Sequence, residues 1–145
     1  MNVEDIKREI SLLDDNTACI TLLKTKLQNN EPDVFDIIAA GGLLQNFYNG
    51  IENIMKIISK SKNQSFSSAN YHSELLESIF SESENSKSLF PDSLKQILKE
   101  YLGFRHVFRH SYGYKLNWER MKDLFNKAPD VWHIVKTCVE KLYLY

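Results

Sequence analysis

Residues 34–58 read VFDIIAAGGLLQNFYNGIENIMKII. The apolar side chains Val34, Ile37, Ile38, Leu44, Phe47, Ile51, Ile54, Met55 and Ile58 recur mainly at three- and four-residue steps. That is the period of one helical face, kept up for about seven turns. Glu31-Pro32-Asp33 stands immediately ahead. Proline is tolerated in a first helical turn and acids favour the N-terminal dipole, so this is a helix start. Gly41-Gly42 interrupts the stripe at a cost of about 1 kcal/mol per glycine relative to alanine. A glycine pair there predicts close helix approach or a kink.

The same reading extends in both directions. Val3, Ile6, Ile10, Leu13, Ile20 and Leu27 form one stripe, with Asn2 as its cap and Glu4 and Asp5 in its first turn. Residues 59–88 hold eleven serines in thirty positions, and Ser59 to Asn70 is expected to lack regular structure. Tyr71 to Phe80 carries a short amphipathic pattern. Pro91 opens a further helix with Leu94, Ile97, Leu98, Tyr101 and Phe104 or Arg105 on one face, and Gly113 is its expected stop. Asn117 caps a segment bearing Trp118, Met121, Leu124 and Phe125. Pro129 is expected to restart a last helix with Trp132, Val135, Val139 and Leu142. No stretch alternates with period two for long. The predicted fold is all-α, an antiparallel helical bundle of four to five main helices, with residues 1–145 as a single domain.

Composition bounds the function classes. The 145 residues are 43% hydrophobic and 26% charged, which is ordinary for a globular domain and unlike a disordered chain. A net charge of −1 excludes a polybasic tail. No apolar run approaches a bilayer span, and the acidic start lacks the order of a signal peptide. Cys19 and Cys138 are too few for a disulfide framework, so a reduced, cytoplasmic protein is expected. The charge is uneven. Residues 1–100 carry 10 Lys and Arg against 15 Asp and Glu, whereas residues 101–145 carry 8 against 4. The last third is either an anion-facing surface or one of two bundle faces that simply differ in charge.

Phe104-Arg105-His106-Val107-Phe108-Arg109-His110-Ser111-Tyr112-Gly113-Tyr114 concentrates the chemistry. Arginine can hold a phosphate oxygen in bidentate fashion, and histidine can take or give a proton at neutral pH. Arg105 and His110 are five residues apart, about 140° around a helix axis. One straight helix would not aim both at one phosphate. Either the helix ends near His110 and frees the imidazole, or two copies pool their side chains; the second is favoured. His106 and His110 stand four apart, as metal ligands can, but the run offers no acid, and Arg109 repels a cation, so no metal is expected. A solvated basic helix end is the plain alternative.

Arg105-x4-His110-x-Tyr112 matches the R-x4-6-H pattern of HEPN domains and, with its tyrosine, resembles the HepT branch of HEPN ribonuclease toxins. Gly113-Tyr114-x-Leu116, Trp118 and Phe104 around it are similar too. So is the layout of an acidic first helix, Tyr48-x-x-Ile51-Glu52 and His72-x-x-Leu75-Leu76. The resemblance covers nearly the whole chain. It implies a metal-independent, cofactor-free endoribonuclease, dimeric, acting as the toxin of a type VII toxin–antitoxin system. Arg105 and His110 would be catalytic, with His106 and Tyr112 supporting the motif. Tyr112 would be the tyrosine that an MntA-type minimal nucleotidyltransferase antitoxin modifies with AMP. Arg109 and Tyr114, to which no motif assigns a role, are further candidates for contact with RNA or the partner. The alternative implied by the same likeness is a catalytically silent HEPN bundle that binds RNA or nucleotide and regulates a nucleotidyltransferase.

The remaining candidates read as structural. His72 is expected to be a capping or core histidine, and His133 a surface residue. Both cysteines read as buried small hydrophobes, and Trp118 and Trp132 as core. Tyr143 and Tyr145 end an apolar tail expected on the bundle or at a dimer interface. Asp14-Asp15 with Glu52 hints at a carboxylate–metal bundle, but the Glu-x-x-His spacing of such bundles is absent.

Overall fold

Helices begin where a side chain takes up their first free amides. The Asn2 Oδ1 accepts from the Asp5 amide at 3.1 Å and opens α1, Val3–Leu27. Asp33 and Asp36 form a reciprocal capping box at the head of α2, Val34–Ser61. The Lys26 Nζ bonds Asp36 at 2.8 Å and, with the Asp33 amide, holds the Asp36 carboxyl below the usual carboxylate range. Then follow α3, Tyr71–Phe80, and α4, Ser93–Arg109. A single 3-10 turn, Gly113–Lys115, leads to α5, Trp118–Leu144, where Asn117 accepts from the Glu119 amide. The computed structural model describes residues 1–81 and 88–144, and no strand occurs among them. The part of the serine-rich stretch at 82–87, and Tyr145, lie outside the described residues.

The central helix is α2, which packs against every other one. Its buried face runs from Ala40 through Leu44, Phe47, Ile51, Ile54 and Met55 to Ile58. Against α1 it runs antiparallel: Leu13 lies on Gly50, and the Asn16 amide donates to the Leu43 carbonyl at 3.0 Å. A Cβ at Gly50 would stand 2.7 Å from Leu13, so close contact requires glycine there. The expected close approach at the glycine pair is met at Gly41, where a Cβ would run into the Leu116 side chain; beside Gly42 the space is open. Helix α5 runs antiparallel to α1, with the Trp132 indole and Lys136 ammonium both on Asp14, at 2.8 and 2.9 Å.

Several expectations are corrected. Pro129 does not restart a helix; α5 continues through it. Proline removes the donor that the Phe125 carbonyl would accept from. The neighbouring carbonyls of Leu124 and Asn126 take the Tyr101 hydroxyl and the Lys24 ammonium, at 2.6 and 2.7 Å, while Phe125, Ala128 and Trp132 are buried around the site. Tertiary contacts therefore hold the helix across its weak point. Helix α4 ends at Arg109, before Gly113, with His110 as its C-cap. Helix α2 runs on through Ser59 to Ser61, because Ile58 and Ser59 are buried. Cys19 is exposed: it lies one residue off the stripe that buries Ile20. Val34 and Ile38, at the head of the α2 stripe, are open to solvent, as is Leu142 in α5. No helix among the described residues is long and apolar enough to cross a membrane.

Candidate functional site

Helix α4 delivers the basic run to the surface. Leu94, Leu98 and Tyr101 anchor its first half in the core, and the Tyr101 hydroxyl donates to the Leu124 carbonyl. Beyond Tyr101 the helix emerges. His106, Arg109 and His110 are exposed and Arg105 is half-buried. Among the described residues no carboxylate lies within ion-pair distance of Arg105, Arg109, Lys115 or Arg120. The motif end of the molecule therefore carries uncompensated positive charge, suited to an anion.

The run is not one cluster. Arg105 turns toward α2, where its Nε donates to the Asn49 side chain at 3.3 Å, leaving its two terminal nitrogens for other acceptors. The His110 ring lies against that of His106, centroids 4.6 Å apart. Thus the helix ends at Arg109 with His110 as its C-cap, near where one reading of the spacing expected, and the His110 imidazole lies over His106. Tyr112 and Tyr114 stack with centroids 5.5 Å apart and are 68% and 60% exposed, so both phenols are open to a partner. The turn that carries them rests on α2, where Gly113 faces Ile38.

A polar group within the α2 stripe lies behind Arg105. Glu52 is 2% exposed, and its Oε1 accepts from His72 Nδ1 at 2.7 Å, with Lys56 at 3.8 Å. Its second oxygen is buried without a hydrogen-bond partner among the described residues. Tyr48 lies beside it. Burial pushes the Tyr48 hydroxyl far above the ordinary tyrosine range, the Glu52 charge adds to the shift, and the Arg105 charge opposes it. His72 is neither a cap nor a core residue. It is half-buried, and with Arg105, His106, Asn70 and Ser73 it lines a pocket of about 250 Å³ between α3 and α4. A larger groove of about 540 Å³ runs between α4 and α5 on the opposite face of α4, past Phe104, Val107 and Met121. It touches none of Arg105, His106 and His110.

The Glu52–His72 pair has no role in the sequence reading beyond the family layout, because its members are twenty residues apart on two helices. The available signal is a carboxylate next to Ile51 on a buried stripe, which demands a partner. Asp14 and Glu52 do not meet: each has its own cationic or imidazole partner. Among the described residues no group of three or more His, Cys, Asp or Glu is placed to hold a metal ion.

Comparison with known proteins adds one match. A family model described as HepT-like protein covers residues 39–144, from the second turn of α2 to the end of α5. Searches of curated proteins and of solved structures return no significant match. With nearly three-quarters of its length inside that family model, motif turn and α2 anchor included, the chain belongs to the HepT-like protein family.

Proposed function

We propose that this protein is a metal-independent endoribonuclease, the toxin of a type VII toxin–antitoxin pair, with Arg105 and His110 as its catalytic residues. The observation that carries the reading is the exposed end of α4, where Arg105-x4-His110-x-Tyr112 presents cations without acidic partners in a chain of the HepT-like family. In this reading the Arg105 guanidinium stabilises charge developing on the scissile phosphate, and His110 moves a proton at one of the two reacting oxygens. His106 backs the His110 ring, and Arg109 and Tyr114 contact RNA or the partner. Tyr112 is the acceptor of AMP from an MntA-type nucleotidyltransferase. An adenylate there adds bulk and negative charge next to His110 and repels RNA.

In this reading two copies pool their motifs: within one chain Arg105 bonds Asn49 on α2, while the His110 ring lies on His106. The exposed apolar side chains at the motif turn, Ile38, Tyr112 and Tyr114, are the face we assign to the second copy. The different neighbours of Arg105 and His110, Asn49 and His106, also favour a second reading, a silent bundle that binds RNA or nucleotide and regulates its nucleotidyltransferase.

The test is cleavage of a mixed RNA pool in EDTA by wild-type protein and His110→Ala, with intact mass read on both. Cleavage by unmodified wild type alone, leaving 2′,3′-cyclic phosphate ends, is expected. Unmodified wild type that leaves RNA intact selects the silent bundle.

A further inference from the structure

Cleavage to a 2′,3′-cyclic phosphate needs two proton transfers. The 2′-hydroxyl loses a proton as the 2′-O–P bond forms, and the 5′-oxygen gains one as the P–O5′ bond breaks. The motif offers His110 for one of them. The geometry points to His72 as the other: a catalytic general base whose imidazole is set by the buried carboxylate of Glu52 and faces the pocket that holds Arg105. This rests on the ribonuclease reading above and names a residue outside the motif.

Three observations carry it. First, Glu52 sits on a buried helix face at 2% exposure, where an ion is costly unless it is paired. Its oxygen lies 2.7 Å from His72 Nδ1, and a neutral imidazole that donates to it from Nδ1 has Nε2 left as an acceptor. A carboxylate that fixes a histidine tautomer is the arrangement that makes imidazole a base. Second, His72 Nδ1 is committed while the side chain remains 34% exposed, so the ring is reachable from the pocket. Third, the pocket walls come from both α3 and α4: His72 and Ser73 on one side, Arg105 and His106 on the other. A phosphate on the free Arg105 nitrogens would enter the pocket that His72 and His106 also line. The acid is His110 of the second copy, as the pooling of two motifs in the ribonuclease reading requires. The 2′-hydroxyl proton passes to His72 Nε2, and the imidazolium of His110 protonates the departing 5′-oxygen. Glu52 is a positioning residue; it does not touch RNA.

The experiment uses the full chain and an RNA dinucleotide with either a normal 5′-oxygen or a bridging 5′-sulfur, a leaving group that needs no proton. His72→Asn is the variant, because the asparagine amide can still donate to Glu52 but has no second nitrogen to accept a proton. Its melting temperature is expected within a few degrees of wild type. Its kcat falls about 10²- to 10⁴-fold on both substrates, and added imidazole restores part of the activity to His72→Gly. Glu52→Gln lowers kcat about 10- to 100-fold with KM unchanged. His110→Ala is slow on the oxygen substrate and recovers on the sulfur one. Wild-type activity retained by folded His72→Asn, or recovery of that variant on the sulfur substrate, overturns the assignment. Inactive wild type removes the ribonuclease reading itself, a distinct result.

Discussion

The two halves of α4 are built on opposite rules. From Ser93 to Tyr101 every charge is compensated and every apolar anchor is covered. Lys95 and Lys99 both reach Glu77, at 2.7 and 3.1 Å, and Glu100 meets Lys127 at 3.0 Å. Leu94, Leu98 and Tyr101 are buried. From Phe104 to Arg109 the arginines have no acid within ion-pair distance among the described residues, and Val107 is 52% exposed. Like charges kept together without partners work against the folded state. A helix can hold them at one end because its other end is secured by burial and hydrogen bonds. The first half thus fixes position, and the second displays unpaired cations.

Substitutions separate the halves. The largest effect is expected from Arg105→Ala: RNA cleavage falls about 10²- to 10³-fold, as on removing a donor to a developing oxyanion, while the melting temperature holds. A parallel fall in melting temperature would make Arg105 part of the scaffold and erase the contrast. Leu98→Ala acts the other way. It leaves a cavity in the anchored half and costs about 2–5 kcal/mol in urea unfolding. Residual folded protein keeps its specific activity; loss of activity without loss of stability would break the division. The smallest effect is that of Glu77→Gln. Hydrogen bonds from Lys95 first, then Lys99, hold the Glu77 carboxyl below the usual glutamate range. Stability from a depressed acid is present above its unfolded pKa of about 4.3 and lost as pH falls through the lower folded value. The variant therefore melts slightly below wild type at pH 7, since the pair is at the surface. That gap closes as pH drops below about 4. A gap that persists at low pH would mean that packing, and not charge, ties α3 to α4.

The helices were legible because their stripes are local. The Ile6–Ile10–Leu13 run and the Leu44-to-Ile58 face each declare a period within a few turns, and the caps Asn2, Asp33 and Asn117 lie beside the helices they start. What was not legible came from distant groups. Pro129 reads as a break until Tyr101 and Lys24, 23 and 102 residues from the carbonyls they meet, are placed around it. The site divides in the same way. Arg105, His106 and His110 stand within one short run. The bond between His72 and Glu52 was not legible, because the two are on different helices. The exposure of Cys19 follows from a one-residue offset that a stripe with a gap between Leu13 and Ile20 does not resolve.

The seam between α1 and α5 has a kinetic consequence. Its contacts, Asp14 with Trp132 and Lys136, join residues 118 and 122 apart, whereas Asn16 and Leu43, across α1 and α2, are only 27 apart. Closing the longer loop costs about 1 kcal/mol more chain entropy. The α1–α2 hairpin is therefore expected to form first and α5 to dock onto it, giving a folding barrier set by closure of nearly the whole chain. Since Tyr101 binds the Leu124 carbonyl, arrival of α5 also completes the seat of α4, so the proposed cleavage activity should appear during refolding only with that last event.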